Sequence, residues 1–102
     1  MMTDATKAAY LMVQLKAKNL EETTQRYGQF ARQTFAKYGG EMIAGTPNAR
    51  VLEGSWDGNW AAILRFPNIA AAEAWYNSPE YTPLKELRIN ELSDHARVLL
   101  IE

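Results

Sequence analysis

Cysteine is absent from this chain of 102 residues and histidine occurs once. Without cysteine there can be no disulfide, thiolate zinc site, iron–sulfur cluster or thiol nucleophile. A cytoplasmic setting suits that composition. Long apolar runs are also missing. The longest, Ala8 to Val13, is far short of the roughly 20 residues that cross a bilayer, and the opening MMTDATK lacks the basic-then-apolar order of an export signal. No membrane association is expected. Neither sign of charge dominates: 11 basic and 12 acidic residues give a formal net charge of −1. They are dispersed, so the concentrated positive footprint that nucleic acid requires is not there. No glycine-rich phosphate loop, nucleophile elbow or metal-ligand spacing can be found, and no cofactor or metal is expected. The length allows one domain, residues 1–102, with residues 1–7 as a loosely ordered tail.

What is present is an alternation of short elements. Ala9 to Leu15 reads as a strand, with Ala9, Leu11, Val13 and Leu15 on one side and Tyr10, Met12 and Gln14 on the other. Asn19 and Glu22 have the spacing of a capping box. After them Leu20, Tyr27, Phe30, Ala31, Thr34, Phe35 and Tyr38 recur at helical steps until Gly39-Gly40 ends the pattern. Glu41 to Ala44 and Arg50 to Trp56 read as extended, with Gly45 to Asn48 between them as a bulge in one strand or a separate turn. Asp57-Gly58-Asn59 signals a hairpin into a strand from Trp60 to Phe66. Pro67-Asn68 then stops that strand and caps a short helix from Ile69 to about Asn77. Ser78-Pro79-Glu80 is a further helix start, Pro83 breaks or restarts that helix with Thr82 as a possible cap, and His95 to Ile101 is the last strand.

The order strand–helix–strand–strand–helix–strand predicts an α+β fold: a ferredoxin-like βαββαβ domain with a four-stranded antiparallel sheet and helices on one face. Two helical layers cover only one side. Yet Tyr10, Met12 and Ile63 point away from Leu11, Val13 and Leu64, and Val98 and Leu100 away from Leu99 and Ile101. A second apolar face of several hundred Å² exceeds what soluble monomers usually leave in water. A homodimer joined through the helix-free sheet faces is therefore expected.

The run Ala74-Trp75-Tyr76-Asn77-Ser78-Pro79-Glu80-Tyr81, with Arg88 two turns beyond, closely resembles the family known as domain of unknown function 1330. Tyr38-Gly39-Gly40, Val51-Leu52-Glu53-Gly54-Ser55-Trp56, Ile63-Leu64-Arg65-Phe66-Pro67 and the closing Leu99-Leu100-Ile101-Glu102 extend the resemblance over nearly the whole chain from Tyr10. The resemblance implies a dimeric α+β barrel, two ferredoxin-like subunits packed sheet to sheet. It implies no reaction, since proteins of that barrel include cofactor-free monooxygenases, lactone isomerases, haem-dependent enzymes and ligand-sensing domains. Where the family usually has Arg-Gly-Gly this chain has Ala44-Gly45-Thr46, which removes one potential anion contact.

Candidate site residues follow from chemistry. Trp56, Trp60, Trp75, Tyr76 and Tyr81, with Tyr27 and Phe30 facing them from the first helix, could line a flat apolar pocket for a small aromatic or lipophilic molecule; the plainer account is core and dimer packing. Tyr81 and Arg88 share a helix face and, with Ser78, could present phenol, guanidinium and hydroxyl to a carboxylate or phosphate. The structural alternative has Ser78 capping, Tyr81 packed, and Arg88 paired with an acid such as Glu91 or Glu53. His95 and Glu53 are the weak catalytic candidates, as lone imidazole and lone strand-end carboxylate. The leading expectation is a small-molecule-binding homodimer with no assignable reaction. The alternatives are a cofactor-independent enzyme, monooxygenase-like or isomerase-like, on a small aromatic metabolite, and a structural or stress-related interaction dimer.

Overall fold

Strand β1, Ala9–Ala17, is one of the two central strands of the sheet, with both its edges paired. A computed structural model describes residues 7–102; the expected tail falls outside the described residues except for Lys7, which is exposed. Strands β2 (Glu41–Thr46), β3 (Trp60–Phe66) and β4 (Ser93–Ile101) complete a sheet of order β2-β3-β1-β4, antiparallel throughout. With helices between β1 and β2 and between β3 and β4, this is the ferredoxin-like α+β arrangement.

Asn19 starts the first helical stretch, its side chain accepting from the Glu22 backbone N–H at 2.9 Å. The capping box is not reciprocal, because the Glu22 carboxylate accepts from Arg26 at 2.7 Å instead. Helix α1 (Leu20–Thr23) runs through a π-helical turn at Thr24–Gly28 into α2 (Gln29–Ala36). The wider turn rotates the buried stripe. Thr23, Ala31, Thr34 and Phe35 face inward, whereas Phe30, expected on that stripe, is exposed. Gly39 then takes φ +80°, closing the helix as a left-handed residue.

Helix α3 (Ile69–Tyr76) is capped by Asn68, whose side chain accepts from the Ala71 N–H at 2.8 Å. Residues 78–81 form a turn, contrary to the expected helix start there. The Ser78 hydroxyl accepts the Tyr81 N–H at 3.1 Å, and α4 (Thr82–Leu87) begins only where Pro83 can occupy a first-turn position. A second π-helical turn, Arg88–Leu92, leads into β4.

Two further expectations need correction. Arg50 to Trp56 is not a strand: it pairs with none of the four strands of the sheet, and Gly54 bends it at φ +83°. Residues 47–59 therefore form one irregular connection. The bulge lies before the ambiguous segment, between Met42 and Ala44, and β2 continues unbroken to Thr46. Asn59 does not sit in a tight hairpin. Its side chain accepts from the Ala17 N–H at 2.8 Å and donates to the Ala17 carbonyl at 3.0 Å, holding β1 where its register with β4 shifts.

Register fixes the two faces. Leu11 opposes Leu64 and Leu100, Val13 opposes Ala62 and Val98, and these point toward the helices. Tyr10, Met12, Ile63, Leu99 and Ile101 share the helix-free face. The expected parity of β4 was thus reversed: Leu99 and Ile101, 48% and 49% exposed, are the residues on the open face, and Val98 and Leu100 pack inward. Among the described residues no helix is long and apolar enough to cross a membrane.

Candidate functional site

A cavity of about 400 Å³ lies between the inner sheet face and the helices. Its floor is Leu11, Val13 and Leu15 of β1 with Ala62 and Leu64 of β3. The room comes from Ala62, whose methyl group stands between the larger Trp60 and Leu64 on the same strand face. Phe35 and Trp75 form a wall, meeting edge to face at 5.9 Å between centroids. Trp75 is fixed by its indole N–H, which donates to the Thr34 hydroxyl at 2.9 Å in the core, and its ring stacks on Tyr81 at 4.1 Å.

Three of the polar side chains that line this largely apolar space stand together. Tyr27 comes from the first π-helical turn, Arg88 opens the second, and Tyr81 comes from the turn before α4. Single π-helical turns inside α-helices often mark functional positions, because they aim a side chain that a regular helix would misdirect. The exposed Arg26 ties the two turns together, reaching Glu22 at 2.7 Å and Glu91 at 3.4 Å. The Tyr27 and Tyr81 hydroxyls lie 2.5 Å apart. Burial pushes the Tyr27 phenol well above its ordinary range, Tyr81 adds to the rise, and Arg88 partly opposes it. The Tyr27 phenol thus stays protonated at neutral pH.

Arg88 is 3% exposed. Burial acts to lower its pKa, but the neighbouring Tyr81 and then Tyr27 oxygens outweigh that and the net shift is upward, so the guanidinium is charged at any working pH. The carboxylate partners expected for it are elsewhere: Glu91 pairs with Arg26, and Glu53 is exposed on the 47–59 connection. Among the described residues no carboxylate comes within ion-pair distance of Arg88, and none lines the cavity.

The structure brings Tyr27, Trp60, Trp75, Tyr76, Tyr81 and Arg88 together at this cavity and leaves Phe30, Glu53, Trp56, Ser78 and His95 outside it. Ser78 is buried as the cap of its turn. Trp56 stands edge-on to His95 at 5.3 Å and beneath Arg97, anchoring the long connection to β4. His95 pairs with Asp57 at 2.9 Å on the exposed surface and lines a shallow depression on the far side of Arg88. Phe35 and Met42 also line the cavity and were not singled out from sequence. The alternation Trp60-Ala62-Leu64, a small residue between two large ones on one strand face, was the available signal for a void. Among the described residues no group of three acidic, histidine or cysteine side chains could hold a metal ion.

The family model described as "Domain of unknown function (DUF1330)" matches residues 8–102. No curated protein sequence matches the chain. Among solved structures, a dabb family protein with a ferredoxin-like fold from Mesorhizobium loti is 15% identical with a TM-score of 0.68, over 93% of this chain and 95% of that one. A dimeric ferredoxin-like protein of unknown function from Jannaschia sp. is 16% identical with a TM-score of 0.63, over 94% and 99%. SnoaB, a cofactor-independent oxygenase from Streptomyces nogalater, is 16% identical with a TM-score of 0.62, over 93% and 90%. At these identities the likeness concerns the fold.

Proposed function

The chain belongs to the family of domain of unknown function 1330, and from that premise we propose that it is a cytoplasmic homodimer binding a small aromatic or lipophilic molecule in the cavity between sheet and helices. The cavity carries this reading. At about 400 Å³ it falls within the roughly 300–1,000 Å³ of small-molecule sites, and it combines apolar walls with a few convergent polar groups. A dimer with a purely structural role has no use for such a space beside Trp75. A saturating change in tryptophan fluorescence on titration with 2-naphthol, one molecule per chain, is the expected result. Ala62→Phe should abolish it while leaving the far-ultraviolet circular dichroism unchanged. Binding that never saturates, or that Ala62→Phe leaves intact, would overturn the reading.

The homodimer rests on the helix-free face and on the dimeric ferredoxin-like neighbour. Leu99, Met12, Ile63 and Ala44 form one row across that face, and Ile101 and Tyr10 head the next. Arg65 and Glu41, 3.8 Å apart, edge the apolar patch. Covering roughly 800 Å² per subunit would suit a standard interface.

A second reading, a cofactor-independent enzyme acting on the same kind of molecule, is favoured by the adjacency of two phenols and a guanidinium, which could stabilise a developing oxyanion. Proton abstraction needs a base, however, and among the described residues the cavity has no carboxylate and no imidazole. Binding is therefore the stronger reading. Tyr27, Tyr81 and Arg88 are its polar contacts, and Trp75 and Tyr76 its aromatic ones.

A further inference from the structure

Resting on the small-molecule reading above, we propose that the ligand is an organic carboxylate: an apolar, aromatic or aliphatic body in the cavity, with its carboxylate held between the Arg88 guanidinium and the Tyr27–Tyr81 phenol pair. The observation behind it is a charge without a counter-charge. Arg88 is 3% exposed, lines the cavity, and has no carboxylate in ion-pair reach among the described residues. A cation taken from water without a partner is costly, and proteins keep such a group where something else supplies the opposite charge.

Donor arithmetic gives the same answer. A guanidinium carries five N–H donors. The groups acting on it are phenol oxygens, those of Tyr81 and Tyr27 and, least, Tyr76, and the first two hydroxyls already share one hydrogen bond at 2.5 Å. One phenol must donate to the other, which leaves the second phenolic O–H free. Several N–H groups and one O–H thus converge with too few acceptors. A carboxylate has two oxygens with about four acceptor positions and no donors, so it can accept from guanidinium and phenol together.

The charge class is set by number. One buried cation matches a monoanion. A phosphate dianion would need a further cation or a cradle of backbone N–H groups, and the remaining lining is hydrocarbon, aromatic or hydroxyl apart from the exposed Arg32 and Gln29 at the rim. The apolar floor of Leu11, Val13, Ala62 and Leu64 then selects for a hydrophobic body.

The test is calorimetric titration of the full chain with benzoate, 2-naphthoate and octanoate, each beside its primary amide of equal shape. At least one carboxylate should bind at least tenfold tighter than its amide. Arg88→Met should bring that ratio to near one, and Arg88→Lys should retain part of it. Arg50→Gln, on the 47–59 connection and outside the cavity lining, should leave it unchanged. The wild-type comparison needs no folded variant. Equal binding of acid and amide would overturn the carboxylate assignment and leave the small-molecule reading standing. Binding of neither across the panel would overturn both. A carboxylate preference surviving in Arg88→Met would place the anion on another group and so refute the assignment to Arg88.

Discussion

Trp75 is the residue on which most of the local order depends. It stacks on Tyr81, meets Phe35 and Phe66, and hydrogen-bonds Thr34 from inside the core. Trp75→Ala should cost about 3–5 kcal/mol, a large part of the roughly 5–15 kcal/mol that holds a small domain together. A shift of the urea midpoint corresponding to less than about 1 kcal/mol would contradict the packing described. Tyr27 gives a prediction in pH. Its folded pKa lies above the unfolded value near 10, because burial disfavours the phenolate. Its contribution to stability is therefore complete below about pH 10 and is lost as pH rises toward the folded value. Tyr27→Phe should flatten that alkaline loss in thermal melts followed between neutral pH and pH 11, and an unchanged slope would contradict the burial. At this scale the sequence identified chemistry better than location. Trp75, Tyr81 and Arg88 were recognisable as a cluster on one run of chain. Whether Arg88 had an acid partner depended on where Glu91 and Glu53 fell, and spacing along the chain does not report which of two cations a glutamate will reach.

Helix starts were the most legible elements, because a cap is a local interaction between residues three apart. Asn19 and Asn68 both accept the backbone N–H that the pattern assigns to them. Asn68→Ala should cost about 1 kcal/mol in chemical denaturation, with no effect on ligand binding, since Asn68 is remote from the cavity lining. Strands are a different matter, because a strand exists only against a partner. Arg50 to Trp56 has strand-like residues but pairs with neither edge strand, so it remains an irregular connection with Val51 and Leu52 exposed, Leu52 at 92%. Residues that give this segment its course are the ones that relieve crowding. A Cβ on Gly58 would lie 2.2 Å from the Trp56 ring, far inside van der Waals contact, so Gly58→Ala must displace Trp56 from His95. That displacement would be visible as a change in the His95 ring signals by nuclear magnetic resonance, and an unmoved resonance would count against the packing. The π-helical turns were not legible at all, because composition around Tyr27 and Arg88 is ordinary for an α-helix.

At the scale of the whole molecule, the sheet has two apolar faces and only one is covered by its own chain. That asymmetry was readable from alternation in β1 and β3, while in β4, where Val98 to Ile101 are all apolar, alternation could not say which residues face out. Pairing with β1 decides it: Leu99 lies opposite Met12, on the open face. Met12→Asp, at the centre of that face, should convert a dimer to a monomer without loss of secondary structure, as sedimentation equilibrium would report. A dimer undisturbed by the change would move the interface elsewhere. The central claim, that one face of the sheet closes over a ligand and the other over a second copy, is tested most directly by native mass spectrometry of the protein mixed with 2-naphthol. The account predicts a species at twice the 11.5 kDa chain mass carrying one small molecule per chain. A lone monomer, or a dimer that stays empty in excess ligand, would contradict it.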